Sequence, residues 1–265
     1  MRKIFFAALA LVLVAIPVVN VNQVFAATPP LIAPALNPPI APQMRSQSQK
    51  TAVILSSLDQ VYPMGRYDEM ITYYLNQAGY KVTTLTNTAV TVPLLLTGLN
   101  NYSIVIWRTN TYTWKHVEYW YVGQLATSGI ETQYASDFAQ GWMNANAGII
   151  GVSLSFFSNH FTSGMLTNVK LMILLSSDSV GISGFMQAAG ANTVVFCNGP
   201  IDLGFGLLDD LTNQLVASLS MGESIYTAVY NLVSPNVQNQ VLEDPLDSNY
   251  SPPFWFQGNS TLTIT

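Results

Sequence analysis

Two apolar runs end abruptly in small polar side chains, and those ends are where this chain can do chemistry. Ile104-Val105-Ile106-Trp107 stops at Arg108-Thr109-Asn110, and Leu171-Met172-Ile173-Leu174-Leu175 stops at Ser176-Ser177-Asp178. A third run, Thr193-Val194-Val195-Phe196, stops at Cys197-Asn198-Gly199-Pro200. Buried parallel strands deliver such residues to the carboxyl edge of an α/β sheet, where ligands bind. The Ser177 hydroxyl or the Cys197 thiol becomes a nucleophile if a base activates it, and the chain has two histidines, His116 and His160. Two histidines and one cysteine are too few for an ordinary metal centre, so neither a metal nor a cofactor is expected. Arg108, Ser176, Asp178 and Asn198 are the expected ligand contacts. Asp209 and Asp210 fall within a helical pattern and are expected to be solvated.

The elements that must carry these residues alternate. Residues 52–55 read as a buried strand and 67–77 as a helix closed by Gly79, with a strand at 80–85 and a short helix at 92–99. Strands follow at 103–107, 148–152, 169–175 and 193–196. Helices are expected at 182–189, 207–221 and 225–232. The dense aromatic patch at Tyr112, Trp114, Tyr119, Trp120 and Tyr121, with alternation over 117–122, reads as a hairpin laid over the sheet. A last strand is expected over 254–265, at an edge. The pattern predicts an α/β fold with a doubly wound, mostly parallel sheet flanked by helices, and an aromatic hairpin insertion.

Two segments carry a family resemblance. Leu171 to Asp178, then Gly184-Phe185 leading to Gly190-Ala191, then Thr193-Val194-Val195-Phe196, and later Leu219-Ser220-Met221-Gly222-Glu223-Ser224 resemble the gingipain-like and CHAT branch of the caspase-type cysteine peptidases. Upstream, Asn101-Tyr102-Ser103-Ile104-Val105-Ile106-Trp107-Arg108-Thr109-Asn110 is similar to that family's strand ending in the general-base histidine. The resemblance implies a caspase-like sheet, with Ser177 at the position of the nucleophilic cysteine and Asn110 at that of the histidine. An amide is no base near neutral pH, and an unassisted serine hydroxyl is a weak nucleophile. The implied function is that of a non-catalytic pseudoenzyme binding a peptide or small protein partner in the strand-end cleft. Two other readings stay open. One is a divergent cysteine or serine hydrolase using Cys197 or Ser177 with a displaced histidine such as His116; the other is a structural cell-surface protein.

Composition bounds the setting. Arg2-Lys3, an apolar run over 4–19 and the small residues around Ala26 and Ala27 read as a secretory signal peptide over 1–27. Pro29, Pro30, Pro34, Pro38, Pro39 and Pro42 make 28–49 an extended tether. The α/β domain is expected over 50–235, and 236–265 as an extension carrying the edge strand. A secreted or cell-surface location follows, with no membrane span once the leader is removed. Between Thr51 and Thr265 five Lys or Arg face fourteen Asp or Glu, a balance that excludes nucleic acid as a partner. Nothing in the sequence sets an oligomeric state.

Overall fold

A computed structural model describes residues 50–177, 179–197, 204–232 and 254–265, with the backbone alone for 204–207. Four short apolar segments, β1 (Thr51–Ser56), β3 (Ile104–Arg108), β8 (Leu171–Leu175) and β9 (Thr193–Cys197), form its parallel core with the more polar edge strand β2 (Lys81–Thr86). They lie in the order β2-β1-β3-β8-β9, and β10 (Phe254–Gly258) adds an antiparallel strand beside β9. The expected edge strand thus completes the main sheet, and it stops at Gly258, well short of the C-terminus.

Side chains alternate across each strand, and both faces of β1, β3, β8 and β9 are covered. Val53, Leu55, Val105, Trp107, Met172, Leu174, Val194 and Phe196 enter one apolar cluster. Ala52, Ile54, Ile104, Ile106, Leu171, Ile173, Leu175, Val195 and Cys197 enter the other. Each such side chain, fully removed from water, contributes about 1.5–3 kcal/mol of transfer free energy when large. The second cluster is closed by α1 (Tyr67–Gln77), α6 (Gly204–Ser220) and α7 (Ile225–Leu232). In α1 the residues Tyr67, Ile71 and Leu75 repeat every fourth position and form its buried stripe.

On the first face lies α5 (Val180–Ala188), through Ile182 and Met186. The same face is covered by a structure the sequence pattern only half predicts. The hairpin β4 (Thr111–Trp114) and β5 (Val117–Leu125) turns through Lys115 and His116, whose φ values of 49° and 65° match the left-handed pair of a two-residue hairpin turn. It does not stand alone. With β6 (Met143–Asn146) and β7 (Ile149–Ser153) it forms a four-stranded antiparallel sheet of order β4-β5-β7-β6. The strand expected at 148–152 therefore belongs to this second sheet, not to the parallel one. Between β5 and β6 run the short helices α2 (Ser128–Gln133) and α3 (Ala135–Ala139), and α4 (Leu154–His160) follows β7. Trp120, Val122, Met143, Ile150 and Val152 join Trp107 and Phe157 in the first cluster. The helix expected at 92–99 is present as an unbroken helical stretch over 92–101, of π type at Leu94–Gly98 and 3-10 type at Leu99–Asn101. No helix among the described residues is long and apolar enough to cross a membrane.

Gly123 shows how closely the two sheets approach. It sits where the β5–β7 register slips between Tyr121 and Leu125, with φ of 99°. A Cβ there would strike the carbonyl oxygen of Asn87 and lie 2.9 Å from that of Ser57. Gly123→Ala is expected to lower stability by about 2 kcal/mol or more. Gly184→Ala, in α5 with nothing within 4 Å of its added methyl, is expected to raise it by about 0.5–1 kcal/mol. Chemical denaturation of both variants checks the pair; equal effects would contradict the account.

Candidate functional site at the strand ends

Strands β3 and β8 are neighbours, with Arg108 opposite Leu175 and the Thr109 amide donating to the Leu175 carbonyl at 2.9 Å. Asn110 and Ser177 each lie two residues past the last paired position of these adjacent strands, so both follow the same edge of the sheet. Asn110 stands where the chain leaves β3 for the hairpin. Its Oδ1 accepts from the Thr111 amide at 2.8 Å, and its carbonyl accepts from the Tyr121 amide at 3.0 Å. That side chain is held in a local turn of the kind asparagine favours. Ser176 is buried and donates to the Ser177 carbonyl at 3.0 Å, while Ser177 is half-buried. Asp178 and Asn198, with the turn that follows Cys197, lie outside the described residues.

The histidines do not join this pair. His116 is exposed at the hairpin turn. His160 ends α4 with Nε2 3.0 Å from Asp137 Oδ1, its ring 4.5 Å from that of Phe156 and edge-on to Trp142. The rings it touches pack on the first face of the sheet, whereas Cys197 points into the second. The Cys197 thiol is fully buried and donates to the Leu174 carbonyl at 3.6 Å, and the Cys197 amide donates to Ser179 Oγ at 2.8 Å. Burial pushes this thiol up to about 12, against weaker downward pulls from Ser176 and Ser179, so at neutral pH it is a packing group without thiolate character. Among the described residues no three His, Cys, Asp or Glu side chains gather as metal ligands would.

Asp209, expected to be solvated, is instead buried and corrects the sequence reading. Arg108 is 2 % exposed, and its Nε and Nη2 donate to the two carboxylate oxygens of Asp209 at 2.8 and 3.0 Å. Its Nη1 donates to the Tyr62 carbonyl at 2.7 Å and to Ser56 Oγ at 3.3 Å, and its carbon lies 5.9 Å from the centre of the Tyr67 ring. The physical reason is parity. Residues 104, 106 and 108 of β3 all point to the face covered by α1 and α6, so the guanidinium is delivered to a buried place and needs a counter-charge there. Burial raises the Asp209 carboxyl from its ordinary range; the hydrogen bonds and charge of Arg108 pull it back, and Asp210 pushes it up a little further. Asp210, one residue on, is exposed as expected.

Beside this pair opens a cavity of about 600 Å³ at the carboxyl ends of β1 and β3, bounded by the loop after β1, α1 and α6. The sheet runs from β1 to β2 in one direction and from β3 through β8 to β9 in the other, so this crevice is the switch point at which open α/β sheets place ligands. Tyr62, Arg66, Tyr67, Arg108, Asp210 and Asn213 line it. The sequence reading reached Arg108 but set Asp210 aside as solvated and missed Arg66, Tyr67 and Asn213. The one available signal was the position of Arg66 and Tyr67 at the start of a helix that follows the first strand.

Comparison with protein-family models and with curated proteins gave no match. Among solved structures the chain is similar to RosB with the bound intermediate 8-demethyl-8-formylriboflavin-5'-phosphate, at 11 % identity and a TM-score of 0.34, over 76 % of this chain and 90 % of that one.

The ion pair yields a pH signature. In Arg108→Met the buried Asp209 loses its partner, which is expected to cost about 3–5 kcal/mol at neutral pH. Burial then acts on Asp209 unopposed, so its folded-state pKa rises further above the unfolded value. The folded state takes up a proton first, and the deficit relative to the natural protein shrinks as pH falls toward about 4. Urea melts at several pH values test this; a deficit that grows on acidification would contradict it. Separately, Cys197 is expected to resist a thiol-reactive disulfide reagent until the protein is denatured, and rapid labelling of the folded protein would refute its burial.

Proposed function

We propose that the chain is a secreted or cell-surface domain of caspase-type architecture that binds a peptide or small partner at its strand-end crevice and does not cleave it. The observation that carries this reading is that Asn110 and Ser177 follow the carboxyl ends of the adjacent strands β3 and β8, the positions where the resemblance requires a base and a thiol. Asn110 is committed to a backbone turn, and His116 and His160 lie elsewhere. The succession β8, α5, β9, α6 follows the strand, helix, strand and long helix that the resemblance implies and so supports it. The switch-point crevice supplies the concave surface that binding needs. The extracytoplasmic location rests on the leader and tether sequences, which lie outside the described residues.

Loss of both members of a nucleophile–base pair lowers rates by a factor of roughly 10⁴ to 10⁶. The purified protein is therefore expected to leave a mixed peptide library intact and to take up neither serine- nor cysteine-directed probes. An Asn110→His, Ser177→Cys double variant is expected to gain labelling at residue 177, because both positions follow adjacent strands at one edge of the sheet. Peptide hydrolysis by the natural protein that disappears in Ser177→Ala would overturn the proposal.

A further inference from the structure

Three asparagines head the pattern Asn-X-Ser or Asn-X-Thr, the acceptor signal for N-linked glycans: Asn101-Tyr102-Ser103, Asn249-Tyr250-Ser251 and Asn259-Ser260-Thr261. Asn249 lies outside the described residues. The other two asparagines are exposed and stand at one edge of the main sheet. Asn101 comes just before β3, and its carbonyl accepts from Thr51 Oγ1, at the start of β1, at 2.9 Å. Because β10 runs antiparallel to β9, its last residue, Gly258, pairs with Thr193, the first of β9, and Asn259 follows it. Both signals therefore lie at the amino ends of the parallel strands. The crevice opens at the carboxyl ends, so bulk added at either asparagine leaves it clear.

At Asn259 the side chain is already arranged around its own signal. Its Oδ1 accepts from the Thr261 amide at 3.0 Å and from the Thr261 hydroxyl at 2.8 Å, closing an Asx turn over the three residues. A backbone N–H only donates, so the atom it meets is the carboxamide oxygen, and Nδ2, on the other arm of the same planar group, is turned away from the turn on an exposed side chain. The turn is braced from behind: Thr193 Oγ1 donates to the Asn259 carbonyl at 3.3 Å, and the Tyr226 amide donates to the Ser260 carbonyl at 3.0 Å. The signal at Asn101 instead runs straight into the sheet, where the Ser103 amide donates to the Thr51 carbonyl and the Ser103 carbonyl accepts from the Lys170 amide, both at 2.8 Å. β10 is also the end strand of its sheet and exposes Trp255, an edge open to pairing with another chain, and a glycan one residue past it obstructs that approach. Resting on the extracytoplasmic reading, we propose that Asn259 is an N-glycosylation site. A cellular transferase joins Asn259 Nδ2 to the anomeric carbon of an activated sugar phosphate; the carbon–oxygen bond to phosphate breaks, the phosphate leaves with the electron pair, and one amide proton passes to a base of the transferase.

Mass spectrometry of peptides from the protein, purified separately from the cytoplasm and from the exterior of the cells that naturally make it, tests the proposal. In the exterior fraction the peptide carrying Asn259 is expected to bear a sugar mass. Asn259→Asp keeps the oxygen that closes the turn and removes the nitrogen that takes the sugar, so it is expected to lose that mass while its circular dichroism and thermal midpoint stay those of a folded protein. Thr261→Val, expressed in the same cells, is expected to lose the sugar as well, and Thr261→Ser to retain it, because the signal needs a hydroxyl at that position. A sugar that persists on Asn259 in Thr261→Val, or a sugar on Asn101 with none on Asn259, overturns the proposal. Exterior protein with a bare Asn259 overturns this proposal alone, whereas protein recovered only from the cytoplasm overturns the location reading and this proposal with it.

Discussion

A guanidinium at the end of a strand covered on both faces has to be neutralised where it stands, and the Arg108–Asp209 pair is how this domain does so. Arg108 reaches Asp209 on α6, Ser56 at the end of β1 and the Tyr62 carbonyl in the loop after β1, so one side chain ties three separate segments at the carboxyl edge of the sheet. Such a pair adds little net stability, because removing both charges from water costs about as much as their attraction returns. It specifies position instead. Any alternative docking of α6 on the sheet leaves a buried charge unpaired, at a cost of several kcal/mol. The placement of the switch-point crevice, whose walls are α1, α6 and that same loop, follows from the pair.

The parallel sheet was legible because burial on both faces leaves a local signature. Runs such as Ala52-Val53-Ile54-Leu55 and Leu171-Met172-Ile173-Leu174-Leu175 carry no polar residue in either parity, and only a strand covered on both sides tolerates that. The second sheet left a weaker trace. Its strand β6 reads Met143-Asn144-Ala145-Asn146, four residues with a single large apolar side chain, and it exists because β7 pairs with it through 149–152. Tertiary pairing overrides local preference there. Asp209 was misjudged for a related reason. Helical periodicity gives the stripe of Leu208, Leu211, Leu215 and Leu219, but an acid beside that stripe is solvated or buried according to what faces it, and its partner is 101 residues away.

At the strand ends the polar residues serve structural ends. Ser179 Oγ accepts from the Cys197 amide and lies 3.3 and 3.2 Å from the carbonyl oxygens of Leu174 and Cys197, so it stitches β8 to β9 just past their last ladder bonds. Asn110 closes the turn into the hairpin, and Ser176 caps the carbonyl that follows it. Small polar residues at the end of a buried strand are thus ambiguous in sequence. They satisfy backbone groups that the ladder no longer reaches, and they carry chemistry only when a base is brought beside them.

The contrast between the strand ends and the crevice lies in how fully their polar atoms are paired. Among the described residues, buried side-chain atoms without a partner occur on Trp120 and Tyr112, in the antiparallel sheet, and on Tyr67 and Asn213, which share the wall of one cavity. The former two sit in an aromatic layer, where Tyr112 stacks on Tyr119 and tilts against Tyr121, and Trp120 is fully buried. Tyr67 and Asn213 are buried residues among those that line the crevice. Replacing either by an apolar residue of similar size would relieve an unpaired group at no loss of packing, a change that selection for stability alone favours. Their presence at the switch point, beside a fully paired Arg108 and Asp209, marks the crevice as the place where this fold carries a cost that stability does not explain.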